Sequence, residues 1–183
     1  MRNDTGYPVR TITDLKNLYK DGVPFSSKYR LELSFPQKIS SLAPSMSDTL
    51  DIACQSAEIP KETIKTQTVW YRGRPLNLKG QMTYDTSFKI TVQDTGHFLV
   101  RKALERWMDL CDTIKNSEKS NEDYKIDEVY LYHLDTYGKP TMKTTFFGVF
   151  LNELGSISLS DKDTSAISYD CSFTYSTFIT EVL

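Results

Sequence analysis

A chain of 183 residues is long enough to bury one sizeable core and too short for two comfortable ones. Its 22 basic and 24 acidic residues give a pI of about 5.7, so bulk charge supplies no attraction for DNA or an anionic membrane. No apolar run approaches the roughly 20 residues of a membrane span, and the N-terminus lacks the apolar stretch of a secretory signal, so a cytoplasmic product with no membrane partner is expected.

Residues 1–27 mix charge with glycine and proline around a short helical candidate, Asp14 to Tyr19, and read as an N-terminal arm ahead of a single β domain over 28–183. "KYRLELSF" then alternates, with Tyr29, Leu31, Leu33 and Phe35 on one face, as a half-buried strand requires. The Ser- and Pro-rich segment 36–48 reads as a long loop, followed by a weaker strand around Leu50 to Glu58 that ends before Pro60.

Lys65 to Arg72 and Phe88 to Gln93 are predicted strands by their β-branched and aromatic content. Between them, residues 71–83 read as a projecting, basic hairpin turn dotted with glycine. From about Gly96 to Lys115 the apolar period becomes helical, with Val100, Leu104, Trp107, Met108, Cys111 and Ile114 on one stripe. Leu104, Trp107 and Met108 are the expected core face of that helix, and Asp94 or Thr95 is placed to cap its N-terminus.

After a polar loop, "NSEKSNED", the chain reads as a hairpin turning at Tyr137-Gly138-Lys139-Pro140, with Gly148 as a bulge or point of close approach. The last run, "SYDCSFTYSTF", alternates Tyr169, Cys171, Phe173 and Tyr175 against Asp170, Ser172, Thr174 and Ser176. The fold class implied is mainly β: a sandwich or partly open barrel of six to eight strands with one flanking helix.

Chemistry is harder to find. Gly138-Lys139-Pro140 lacks the glycine-rich loop and following hydroxyl of a phosphate loop. The stretch from Asp161 starts like a calcium loop but has Ala166 where the turn needs glycine and Ser172 where a glutamate is required. His97 and His133, the two histidines, have no partners at metal or triad spacing. Cys54, Cys111 and Cys171 are odd in number and widely separated, without a C-x-x-C pair, and read as inert small apolar residues. No catalytic residue, no metal and no cofactor is assigned, and the chain is not expected to be an enzyme.

The basic segment also fails as a phosphate cradle, because Arg72, Arg74 and Lys79 lead into another strand and not into a helix N-terminus. Two readings stay open for it: docking onto a complementary acidic surface, or a plain solvated hairpin.

"KYRLELSF", "ACQSAEIP", "VWYRGRPLNLKGQMTYDTSFKITVQD", "RKALERWMD" and "YHLDTYGKPTMKTTFFGVFLNELGSISLSDKDTSAISYDCSFTYSTF" together resemble, in that order, the tail tube protein of contractile-tailed bacteriophages, over about residues 14 to 178. The resemblance implies a β-barrel-like subunit that forms hexameric rings. Those rings stack into the inner tube of the virion tail, through which viral DNA passes without specific binding, and the architecture is shared with type VI secretion tubes. It implies as partners further copies of the same chain, the tail sheath protein, the baseplate or tube initiator and the tape measure protein.

On that reading Tyr71, Arg72, Arg74, Asn77, Lys79 and Gln81 contact the neighbouring ring, with the N-terminal arm and the 36–48 loop as further contacts. Asp170, Ser172, Thr174 and Ser176 line the lumen, where they would offer phosphate no lysine or arginine; an ordinary solvent face is the competing reading. The arm and the 36–48 loop look longer than in the shortest members of the family, which leaves a baseplate-proximal initiator ring as the alternative to the main tube subunit. A monomeric β-barrel that binds single-stranded nucleic acid through some of the 11 tyrosines is the alternative from another class.

Overall fold

The computed structural model describes residues 11–20, 22–40, 46–112, 123–161 and 165–183. In chain order its elements are α1 (Ile12–Leu18), β1 (Tyr29–Leu33), α2 (Gln37–Ser40), α3 (Met46–Ala53), β2 (Cys54–Ala57), β3 (Glu62–Tyr71), β4 (Arg74–Tyr84), β5 (Ser87–Gln93), α4 (Leu99–Cys111), β6 (Ile126–Leu134), β7 (Pro140–Leu154), β8 (Ser168–Thr174) and β9 (Thr177–Val182). Residues 1–10 of the arm, 41–45 of the expected loop, Ile114, most of the polar loop and residues 162–164 lie outside the described set.

Seven strands form one antiparallel sheet in the order β1-β6-β7-β8-β5-β2, with β9 paired to β7. The strand β7 joins two wings. Its first part pairs with β6 and β9, from Met142↔Val182 to Phe147↔Thr177 on the β9 side, and its end pairs with β8 from Phe150↔Thr174 onward. Gly148 sits at the changeover with φ 62, and a Cβ there would come within 2.7 Å of Ser176 Oγ. A left-handed backbone and a close neighbour both demand glycine at this corner.

The expected alternations hold where one face is covered. Leu31, Leu33 and Phe35 are buried along β1 and beyond it, Phe88, Ile90 and Val92 along β5, and Tyr169, Cys171 and Phe173 along β8. Phe88 stacks on Phe146 at 4.3 Å and on Phe173 at 5.3 Å between ring centroids. The helix α4 closes the core: Leu104 and Trp107 are fully buried and Met108 partly so. Trp107 packs on Phe35 and Phe173 and donates its Nε1–H to the Tyr124 carbonyl at 2.8 Å. Truncating such a side chain typically costs about 3–5 kcal/mol.

Four expectations are corrected. The mainly β, open fold is as expected, but the described residues carry nine strands and four helices instead of six to eight strands and one helix. Leu50 to Ala53 are helical, the strand being confined to Cys54–Ala57, because Met46, Leu50 and Ala53 form a buried helical stripe in α3, which packs against β1 and α4. The supposed loop 36–48 therefore holds α2 and the start of α3. The final run is two strands, not one: the alternation continues through Tyr175, but the chain breaks at Tyr175 and Ser176, whose amides donate to Thr86 and Phe147 carbonyls.

Candidate functional site

The segment between β2 and β5 folds as a two-stranded sheet of its own. The strands β3 and β4 run from Glu62↔Tyr84 to Tyr71↔Arg74, with a register shift between Ile64 and Thr66. They are joined by Arg72 and Gly73, with φ 49 and 76, so both central residues carry the positive φ of a type I′ turn. The basic segment expected as the turn, 71–83, is thus the tip and second strand of a longer hairpin that begins at Glu62.

Opposed residues in an antiparallel pair share a face, so the register sorts the side chains. Beyond the shift, Gln67, Val69, Tyr71, Arg74, Leu76 and Leu78 lie on one face; Thr66, Thr68, Trp70, Pro75, Asn77 and Lys79 lie on the other. Both faces are open to solvent. Val69, Trp70, Tyr71, Leu76 and Leu78 are all exposed, Trp70 at 69%. Four basic residues, Lys65, Arg72, Arg74 and Lys79, stand against Glu62 alone. An apolar, basic sheet with neither face covered is poorly suited to water and well suited to a partner.

The root of the hairpin is fixed. The Asp85 amide donates to the Lys61 carbonyl at 3.2 Å, and the Lys61 amide donates to the Asp85 carboxylate at 3.3 Å. Tyr175 donates its hydroxyl to the Asp85 carbonyl, and Tyr84 meets Phe178 edge to face at 6.1 Å.

The six expected inter-ring residues do not gather into one patch. Tyr71 and Arg74 share one face, Asn77 and Lys79 the other, Arg72 occupies the turn and Gln81 falls beside the register shift. Asn77 is engaged within the hairpin, accepting from Thr68 Oγ1 at 2.9 Å, and the Arg72 guanidinium lies 5.4 Å from the Tyr71 ring centroid. Sequence reasoning missed the apolar members, Trp70 above all, whose signal was its place opposite Pro75 once the strands are paired.

The expected lumen residues scatter too. Asp170 is exposed on β8, Thr174 is half-buried, and Ser172 is only 6% exposed. Ser176 is in the corner after β8, beside Gly148. Asp170 accepts from Thr91 Oγ1 at 2.8 Å, which in turn accepts from Ser56 Oγ at 2.9 Å, a polar chain across three strands. The face is not free of lysine: Lys89 stands directly opposite Ser172. Opposed strand residues point the same way, so the expectation of a cation-free face is overturned.

No activated nucleophile emerges among the described residues. Burial pushes the Cys54 thiol up to about 11, Cys111 to about 11 and Cys171 to about 12, so each stays protonated at neutral pH. His133 sits between Thr141 Oγ1 at 3.0 Å and the Phe25 carbonyl at 3.2 Å, while His97 is exposed before α4. No group of three or more His, Cys, Asp or Glu among the described residues is arranged to hold a metal. No described helix is long and apolar enough to cross a membrane.

Comparison with known proteins gives a consistent family. The family model "Phage tail tube protein" matches residues 24–181, while no curated protein sequence matches the chain. A chain in the cryo-EM structure of the anti-feeding prophage baseplate shares the fold with a TM-score of 0.60 at 12% identity, over 87% of this chain and 96% of that one. A chain of the sheath-tube complex of an extracellular contractile injection system, in its extended state, reaches 0.50 at 13% identity, over 96% and 100%. A type six secretion system protein reaches 0.50 at 8% identity, over 84% and 82%. With a family match across nearly the whole β fold, the chain belongs to the phage tail tube protein family, and as a member it is a structural tube protein and not an enzyme.

Proposed function

We propose that this chain forms hexameric rings that stack into the inner tube of a contractile virion tail, and that viral DNA passes through the bore without specific binding. The observation that carries the reading is the hairpin Glu62–Tyr84. Its apolar and basic side chains are exposed on both faces of a two-stranded sheet, which favours contact with further copies. Tyr71, Arg72 and Arg74 at its tip reach the neighbouring ring, and Asn77, Lys79 and Gln81 support the second strand that carries them. The arm, with α1 exposing Ile12, Leu15 and Leu18, is a second contact. The wing outside β8, with Asp170 and Thr174 exposed or half-exposed near Lys89, faces the bore with mixed charge.

The sheath protein packs outside such a tube, the tape measure protein lies within it during assembly, and the baseplate initiator seeds it. Fold likeness to a baseplate chain favours one second reading, that this subunit makes the first ring at the baseplate. Either way the assembly test is the same. Reversing charge at the tip, Arg72→Glu with Arg74→Glu, leaves the circular dichroism spectrum unchanged and abolishes tubes in electron micrographs. Tubes of normal length from the double variant would refute the assignment of the hairpin. Salt-sensitive binding of single-stranded DNA by a monomer would instead favour a nucleic-acid module.

A further inference from the structure

The ends of β9 mark two features with matching chemistry. At its first residues, Phe178 touches Tyr84 at the hairpin root; at its last, Val182 helps to line a cleft of about 440 Å³. The register Phe178↔Phe146 and Val182↔Met142 sets these two points some 14 Å apart at about 3.4 Å per residue. The cleft is walled by Val23 and Pro24 of the arm, Met142 of β7, Val182, and the His133 imidazole, with Asp135 at its rim. The imidazole is held by its contacts to Thr141 and the Phe25 carbonyl, and the Asp135 carboxylate is pinned by the Tyr137 and Lys139 amides, both at 2.8 Å.

Among the described residues, neither the cleft nor the hairpin tip is covered. Trp70 is 69% exposed and Val182 is 87% exposed, so both apolar surfaces face solvent. We propose that the hairpin tip of one copy, led by Trp70 and Pro75, seats in the Val23–Met142–Val182 cleft of a second copy.

Three features of the chain argue for that occupant. Hairpin and cleft are different surfaces of the chain, so the contact is head to tail and can repeat from copy to copy, as a stack requires. The wedge is apolar and so is the cleft, which lets each cover what the other exposes. The fixed carboxylate of Asp135 faces a tip carrying Arg72 and Arg74, which gives the docking its orientation. This inference rests on the self-assembly reading above and names the receptor that reading left open.

The test is directed cross-linking in a Cys111→Ser background, where Cys54 and Cys171 are buried. Trp70→Cys and Val182→Cys are made as separate proteins, each checked for the wild-type circular dichroism spectrum, then mixed under assembly conditions with copper–phenanthroline as oxidant. The expected result is a reducible dimer in the mixture that is absent from either protein alone. No dimer while the wild-type chain still forms tubes would overturn the cleft assignment and leave the self-assembly reading standing. A dimer that appears only after residues 1–10 are removed would also overturn it, by showing that those residues occupy the cleft in the same chain. A wild-type chain that never assembles contradicts both readings.

Discussion

Asp94 shows how much one side chain can hold. Its two oxygens accept from the amides of Thr95, Val100 and Arg101 and from the Tyr169 hydroxyl, the last at 2.8 Å. One carboxylate thereby caps α4 across a left-handed Phe98 and ties the helix to β8. Burial, reinforced by the bond to Asp94, pushes the Tyr169 phenol up, so it remains a protonated donor. Arg101 completes the joint by lying over the Tyr169 ring, 4.9 Å from its centroid, and donating to the Gly155 carbonyl at 2.7 Å. Losing the cap and stranding the hydroxyl of the buried Tyr169 should cost about 2–3 kcal/mol in Asp94→Ala. Urea denaturation checks this: the midpoint falls while the slope stays that of the wild type. An unchanged midpoint would mean that water replaces the carboxylate at no cost.

At the scale of elements, legibility follows burial. The strands β1 and β5 and the helix α4 were readable in the sequence because each covers one face, so selection for packing writes a period into the residues. The helix α3 was hidden because its stripe of Met46, Leu50 and Ala53 is embedded in serines and follows a proline. The strand β4 was misread as a turn because neither of its faces is buried. With no face to cover, Arg74, Pro75, Asn77 and Gly80 are free to look like loop residues. The candidate site suffered in the same way: its charged residues were legible, while Trp70 passed for an ordinary strand aromatic until the register placed it opposite Pro75 at the tip. The mixed charge of the β8 face was hidden for a different reason. Its lysine comes from β5, a strand far away in sequence, and only pairing brings Lys89 beside Ser172.

The same separation yields a prediction. Since β3 and β4 pack chiefly on each other, replacing residues 64–82 with a short Gly-Ser linker should leave the core intact. The denaturation free energy should then shift by no more than about 0.5 kcal/mol, the usual range for changes away from packed features. Assembly should be lost at once. A large loss of stability, read by urea titration, would mean that the hairpin is a folding element and not a docking one.

For the whole molecule, the parts divide cleanly between a core that holds shape and surfaces left for others. The aromatic cluster of Phe88, Phe146, Phe173 and Trp107 joins both wings to α4. Outside it stand an apolar hairpin, an exposed α1 and an open cleft, each carrying hydrophobic area that a solitary protein would be expected to cover. A tube subunit that meets further copies of itself at these surfaces, as proposed above, has reason to keep them. The most direct measurement is therefore negative-stain electron microscopy of the purified protein across a concentration series, paired with mass by light scattering. Rings and tubes of uniform bore, with a mass that rises in whole rings, are the predicted result. A single species of one chain's mass, 21.0 kDa, at every concentration would contradict it.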